Sequence, residues 1–208
     1  MFLTFQAILV ALLVTAILGA LLIGLTQSLR SRAMARLAHR QGLRFSSDDP
    51  FNVPMRYTEF GLIRSGHSPR AYNVVHGRKH LPIRLFEFRY EAGHGTHRLT
   101  RLYSCIVLDL PAEAPEVLLW HGSDPEGAPL EARQIDGTVG PWTYRGSDED
   151  ARKLAEICSE LGPLNISIET RGATMLCCSA DHRQPIAAEQ LVDCVLRTGK
   201  ALSEKLLG

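Results

Sequence analysis

Residues 81–110 read LPIRLFEFRYEAGHGTHRLTRLYSCIVLDL, and this stretch decides the fold of the chain. Apolar and aromatic residues dominate both halves, and Gly93-His94-Gly95 between them is a turn signal. Strand-forming runs on either side of a glycine-containing turn are typical of a β-hairpin. The apolar parity changes between Leu85 and Phe86, which indicates a bulge or a strand covered on both faces. An antiparallel sheet is therefore expected at the centre of the protein.

Further strands and two helices are expected around this hairpin. The sequence predicts strands at residues 57–63, 71–76, 117–120, 142–145, 165–169 and 173–179, and a surface loop at residues 121–140. Ser147 precedes three acidic residues, which predicts the start of a helix that ends at Gly162-Pro163. A closing helix is expected from about residue 186 to residue 207. Runs of strands followed by helices predict an α+β fold with a mostly antiparallel sheet and two packed helices.

The N-terminal residues differ sharply from the rest of the chain. Residues 2–25 are apolar apart from two Thr, one Gln and two Gly, and no charged residue precedes Arg30. A helix of about 20 residues spans a bilayer core, so this run predicts a transmembrane helix. A cleaved signal peptide is disfavoured, because no basic residue stands at the start and the apolar core is too long. The predicted divisions are a transmembrane helix at 1–28, a basic juxtamembrane helix at 29–45 and an α+β domain at 46–208.

Basic residues follow the apolar run at once, and no acidic residue occurs before Asp48. The positive-inside rule then predicts a single-pass protein of the inner (plasma) membrane, with its N-terminus outside and its domain in the cytoplasm. The same residues are candidates for contact with anionic lipid at the membrane surface. They are Arg30, Arg32, Arg36, Arg40 and Arg44. The five cysteines are odd in number and unpatterned, which favours reduced, buried thiols in a cytoplasmic domain.

Small residues recur at intervals of four within the apolar run, at Ala16, Ala20 and Gly24. Such a face allows the backbone of a second helix to approach closely. The predicted partner is a membrane protein complex or a second copy of this chain. Ala and Gly are also common in apolar helices that have no partner, and that interpretation stays open.

The search for chemistry in the sequence finds no catalytic motif. The net charge of +1 excludes a polybasic nucleic-acid-binding protein. No Walker A sequence, nucleophile elbow or His-Glu-x-x-His occurs, so no cofactor is predicted. His76 with His80 and His94 with His97 are expected at opposite ends of the sheet. They therefore do not supply the converging ligands that zinc needs, and no metal site is predicted.

Three functions are compatible with these patterns. The first is a non-enzymatic, membrane-anchored interaction module, serving as an accessory or scaffold subunit of a membrane protein complex. The second is a metal-dependent enzyme or sensor that uses one of the two histidine pairs. The third is a sensor of anionic lipid surfaces that uses the five arginines.

Several short motifs resemble a group of uncharacterised bacterial membrane-anchored proteins. The motifs are Asp49-Pro50-Phe51, Pro54-x-Arg56-Tyr57, Asn73-Val74-Val75-x-Gly77, Phe86-Glu87-Phe88-Arg89-Tyr90 followed by Gly93 and Gly95, and Tyr144-Arg145-Gly146-x-Asp148-Glu149 followed by Arg152. The resemblance runs from Leu43 to the end of the chain and includes the preceding anchor. The chain departs from the group at the hairpin turn, where His94 and His97 stand. The resemblance implies a single-pass membrane protein with a cytoplasmic α+β domain, and it carries over no catalytic residue.

Overall fold

The computed structural model describes residues 2–93, 95–121, 135–164, 166–179 and 185–207. The helices are α1 (Phe2–Arg40), α2 (Val53–Arg56), α3 (Gly61–Arg64), α4 (Asp148–Ile157) and α5 (Pro185–Leu207). The strands are β1 (Arg44–Ser46), β2 (His67–Arg78), β3 (Pro82–Ala92), β4 (Leu99–Asp109), β5 (Val117–His121), β6 (Gly137–Val139), β7 (Trp142–Arg145), β8 (Ile166–Arg171) and β9 (Thr174–Ser179). Short 3-10 helices lie at Gly95–His97 and Ser159–Leu164.

The nine strands form one sheet in the order β1-β2-β3-β4-β9-β8-β5-β7-β6. Each neighbouring pair is antiparallel. The β3–β4 hairpin pairs from Ile83 with Leu108 to Ala92 with Leu99 and forms the longest unbroken ladder. The predicted hairpin, the α+β class and the antiparallel sheet are therefore confirmed.

The change of apolar parity in β3 arises because the sheet is covered on both faces. Ile83 and Leu85 lie in a core that also contains residues of α1, α4 and α5. Phe86 and Phe88 point to the other face and lie in a second core, which residues of α2 and α3 complete. Strand β3 is thus covered on both faces, and a register shift also lies opposite Phe86, on β2 between the pairs Tyr72–Glu87 and Val75–Leu85.

The strand predicted at residues 57–63 is wrong. Tyr57 ends α2, and α3 begins at Gly61, so two short helical turns occupy this segment. Phe60 and Leu62 are buried in the second core. A short apolar run is compatible with either a strand or a helix, and its period does not separate the two.

The boundaries of the first elements also differ from the predicted ones. Helix α1 continues without a break through residue 28 to Arg40, and β1 at Arg44–Ser46 already belongs to the sheet. The strands β1 and β6 were missed because each has three residues, too few for an alternating pattern to be recognised. Ser147 occupies the position before α4 but makes no capping hydrogen bond through its side chain, whereas the three acids of the first turn are present as expected.

Candidate membrane-facing surface

Within the described ranges, one helix is long and apolar enough to cross a membrane, and it is α1. Between Ile8 and Leu25, the large apolar side chains that the structure describes are 48–67% exposed. A helix that is apolar on all sides and is not covered by its own protein is typical of a membrane span. Helix α1 therefore has the length and the surface of a membrane anchor.

The last turns of α1 belong to the domain rather than to the membrane. Leu37 and Ala38 are 3% and 2% exposed, respectively, and lie in the first core. Gly42 takes a positive φ of 61°, and the Leu43 N–H donates to the Ala38 carbonyl at 2.8 Å. A glycine in the left-handed region with this hydrogen bond is a common way for a helix to end. Anchor and domain therefore share one continuous helix.

The five arginines predicted to contact lipid do not lie at one level. At a rise of 1.5 Å per residue, Arg40 lies about 15 Å further from the apolar run than Arg30 does. Arg40 forms an ion pair with Glu189 of α5 at 2.8 Å, and Arg44 begins β1 opposite His76. Arg32 and Arg36 are exposed, and Arg30 is half-buried. Of the five, Arg30 and Arg32 lie nearest to Leu25 along the helix.

The small-residue face of the span is open to a neighbouring helix. A shallow apolar depression on α1 is lined by Ile17, Ala20, Leu21, Gly24 and Leu25. A Cβ atom placed on Gly24 would meet no atom of the chain within 4 Å. Two of the three predicted contact residues, Ala20 and Gly24, thus line this depression, and Ala16 lies one turn before them on the same row.

A buried polar group lies where α1 passes the sheet. Glu87 is 8% exposed and accepts a hydrogen bond from Nδ2 of Asn73 at 2.6 Å. Burial and the nearby Glu87 raise the pKa of Tyr72, and the guanidinium groups of Arg30 and Arg89 lower it by less. The positive charges of Arg30 on the helix and Arg89 on the sheet therefore both favour the ionised form of the Tyr72 hydroxyl group. Sequence reasoning missed this cluster, although an acid among the apolar residues of a strand was a visible signal.

Two further acidic residues anchor segments on the other face of the sheet. Nη1 of Arg84 donates to both carboxylate oxygens of Asp109, at 2.8 and 3.0 Å. Glu169 is 4% exposed and accepts a hydrogen bond from the Gly61 N–H at 3.1 Å and another from Nε of Arg171 at 2.7 Å. The bond from Gly61 holds α3 against the sheet, whereas the Arg84–Asp109 pair joins β3 to β4.

His76 and His80 lie at the opposite end of the sheet from His97, as the spacing predicted. The β2–β3 turn and the β3–β4 turn lie at opposite ends of β3, so His76 and His80 are remote from His97. His94 lies outside the described residues. His76 packs edge-on against Phe51 at 4.9 Å, and burial together with two arginines lowers its pKa. Among the residues that the structure describes, no three His, Cys, Asp or Glu side chains are placed to hold a metal ion.

Four of the five cysteines are buried, and Cys194 is half-buried. Burial raises the pKa of the Cys158 thiol to about 12. Sγ of Cys178 lies 3.2 Å from Sγ of Cys105 on the neighbouring strand. The prediction of buried thiols is confirmed for Cys105, Cys158, Cys177 and Cys178.

Comparison with known proteins relates the fold to one solved structure. No protein-family model and no curated protein matches the chain. The crystal structure of the mycobacterial trehalose monomycolate transport factor A, TtfA, matches with a TM-score of 0.61 and 14% sequence identity. The match covers 82% of this chain and 92% of that chain. At this identity the likeness shows a shared α+β fold.

Proposed function

We propose that this protein is a single-pass, non-enzymatic accessory subunit of a membrane protein complex, with its α+β domain on the cytoplasmic side. The observation that carries the proposal is the continuity of α1. One helix supplies an exposed apolar surface from Ile8 to Leu25 and then the buried Leu37 and Ala38. Such a helix holds a folded domain at a fixed place beside the membrane, as a scaffold subunit requires.

Two other observations support the proposal. The fold is shared with TtfA, which is named as a transport factor, and an accessory role is compatible with that name. The orientation follows from the charge pattern, because basic residues flank only the C-terminal side of the apolar run. A reporter fused after Gly208 should be active only if it functions in the cytoplasm. Activity confined to a reporter that needs the outside would refute the orientation.

The depression around Gly24 is the proposed contact with the partner helix. Helix association in lipid depends on close packing, because lipid chains are as apolar as the side chains they would replace. The double substitution Ala20→Leu with Gly24→Leu fills the depression. A Cβ atom at Gly24 would meet no atom of this chain within 4 Å, and leucine is a good helix former, so we expect the anchor helix to persist. We expect copurifying membrane proteins to be lost from a preparation in mild detergent.

The matched control lies on the opposite side of the helix. Leu18 and Leu22 are 55% and 63% exposed, respectively, and do not line the depression. Leu18→Ala with Leu22→Ala should retain the bound proteins. Quantitative mass spectrometry compares the amounts of bound protein in the two preparations. Equal retention in both would show that the depression is not a contact face. Loss of self-association alone would identify the partner as a second copy of this chain.

The metal-dependent alternative has less support. Its histidine pairs would have to act separately, and neither His76 nor His97 has two further metal-binding side chains beside it among the described residues. The purified full chain should therefore bind no stoichiometric zinc. One equivalent that is lost on His94→Ala with His97→Ala would favour the alternative.

A further inference from the structure

The direction of the sheet relative to the membrane anchor follows from three contacts. Leu43 packs against Gly77, Leu37 and Val75 lie in one core, and β1, which follows the chain reversal at Gly42, pairs antiparallel with β2. Helix α1 and strand β2 therefore advance in the same sense, away from the apolar run. The residues of β2 that precede Tyr72 point back towards the membrane, and so does the β3–β4 turn beside them.

Simple lengths place this end of the sheet at the level of the membrane surface. From Leu37 back to Leu25, the helix covers about 18 Å. From Leu85, which pairs with Val75, to Ala92, strand β3 covers about 23 Å. The strand thus reaches the level of Leu25 even when it is inclined to the helix. The hairpin end, meaning residues 67–70 together with the described part of residues 89–101, lies beside the end of the span.

The hairpin end is strongly basic. Residues 67–70 and 89–101 contain four arginines and one acid, Glu91. Arg70, Arg89 and Arg98 are exposed. Leu99 is 60% exposed at the same end, beside Arg98, which pairs with Glu91 at 3.3 Å. An exposed apolar residue among basic ones is the pattern of a surface that rests on anionic lipid headgroups.

We infer that the hairpin end docks on an anionic phospholipid surface, with its arginines on lipid phosphates and Leu99 at the acyl boundary. Arg30 and Arg32 of α1 lie on the same surface. The inference rests on the proposed anchoring by α1, and it adds a second point of contact to that anchor. Two contacts fix the tilt of the sheet against the bilayer, whereas a single helix leaves it free.

The test places a fluorescent reporter at the hairpin end of the full chain in reconstituted bilayers. Leu99→Trp introduces a tryptophan at the docking surface, and Lys79→Trp introduces one at the exposed β2–β3 turn, the opposite end of the same strands. The native Trp120 and Trp142 are buried and common to both variants. Bilayers contain brominated phosphatidylcholine, alone or mixed with phosphatidylglycerol. We expect bromine to quench Leu99→Trp in the mixed bilayer and to leave Lys79→Trp at the wild-type level.

The dependence of quenching on the arginines separates electrostatic docking from mere closeness of residue 99 to the bilayer. Arg70→Gln with Arg98→Gln, added to Leu99→Trp, should lower the ratio of docked to undocked protein about fivefold per arginine. Arg78→Gln with Lys79→Gln is the matched control and should leave quenching unchanged. Equal quenching in the two bilayers, or no effect of the first pair, would overturn the inference. Resistance of each variant to alkaline extraction reports on the anchor, and copurification reports on the complex, so failure of docking is distinguishable from failure of the proposed function.

Discussion

Leu37→Ala tests whether the membrane anchor is built into the core of the domain. Leu37 is 3% exposed and lies among residues of β2, β3 and β4 in the first core. The substitution removes three buried carbon groups at about 0.8 kcal/mol each, and the cavity adds a further cost. We expect a loss of about 3 kcal/mol in the free energy of unfolding. For a domain of this size, that loss corresponds to a fall in Tm of about 6–12 °C.

The measurement is thermal unfolding of the full chain in detergent, followed by near-ultraviolet circular dichroism. Leu207→Ala is the matched control, because it makes the same chemical change at a leucine that is 69% exposed. Its effect should stay within about 0.5 kcal/mol. Equal shifts in Tm for the two variants would refute the reasoning, since Leu37 would then contribute no more than a surface residue.

Three further predictions follow from the same packing and its electrostatics. A fragment that begins at Ser46 lacks the end of α1 and most of β1. Its denaturation midpoint should therefore lie below that of a fragment that begins at Arg30, and equal midpoints would contradict this expectation. A thiol reagent should modify Cys194 before Cys158, whose pKa burial raises to about 12, and peptide mass spectrometry would reveal the reverse order. The pKa of the His76 imidazole is lowered from its ordinary 6.5, so the unfolded chain binds a proton at His76 more readily than the folded chain does. The free energy of unfolding is therefore not reduced by His76 above pH 6.5, and it declines as the pH falls below that value. His76→Gln should flatten this part of the pH dependence of the denaturation midpoint, and an unchanged slope would show that another group titrates.

The hairpin and the closing helix were predictable because their patterns are long. Strands β3 and β4 have eleven residues each, and α5 has 23, so each is represented by a long run of strand-forming or helix-forming residues. The strands predicted at 165–169 and 173–179 are also present as β8 and β9, and Gly172 takes a positive φ of 51° in the turn between them. In these segments the local sequence and the final fold agree.

The two helical turns α2 and α3 were not predictable from the apolar pattern, which favoured a strand at 57–63. Local and distant polar contacts decide the conformation of both turns. The Asp49 carboxylate accepts hydrogen bonds from the N–H groups of Phe51 and Val53, at 3.0 and 2.6 Å. Asn52 takes a left-handed φ of 51° before the helical turn. Glu169, 108 residues away from Gly61, then holds the following turn on the sheet. An apolar run alone contains none of this information.

The order of the strands was also beyond the sequence pattern. Strand β9 pairs with β4, and β5 lies between β8 and β7, although the alternation within each strand is satisfied by any neighbour of suitable polarity. The grouping of charged residues around Tyr72 was likewise not predictable from the sequence pattern. Arg30 and Arg89 are 59 positions apart in the sequence, and only the packing of α1 on the sheet brings both to Tyr72.

The continuity of α1 determines how the domain responds to the membrane. A helix that is hydrogen-bonded throughout resists bending, and α1 contains no proline between Phe2 and Arg40. Its end is fixed to the domain by the buried Leu37 and by the ion pair between Arg40 and Glu189. A change in the tilt of the span therefore becomes a change in the tilt of the sheet, with no flexible linker to absorb it. A partner that packs against Gly24 and a lipid surface that binds the hairpin end would consequently act on the same rigid body.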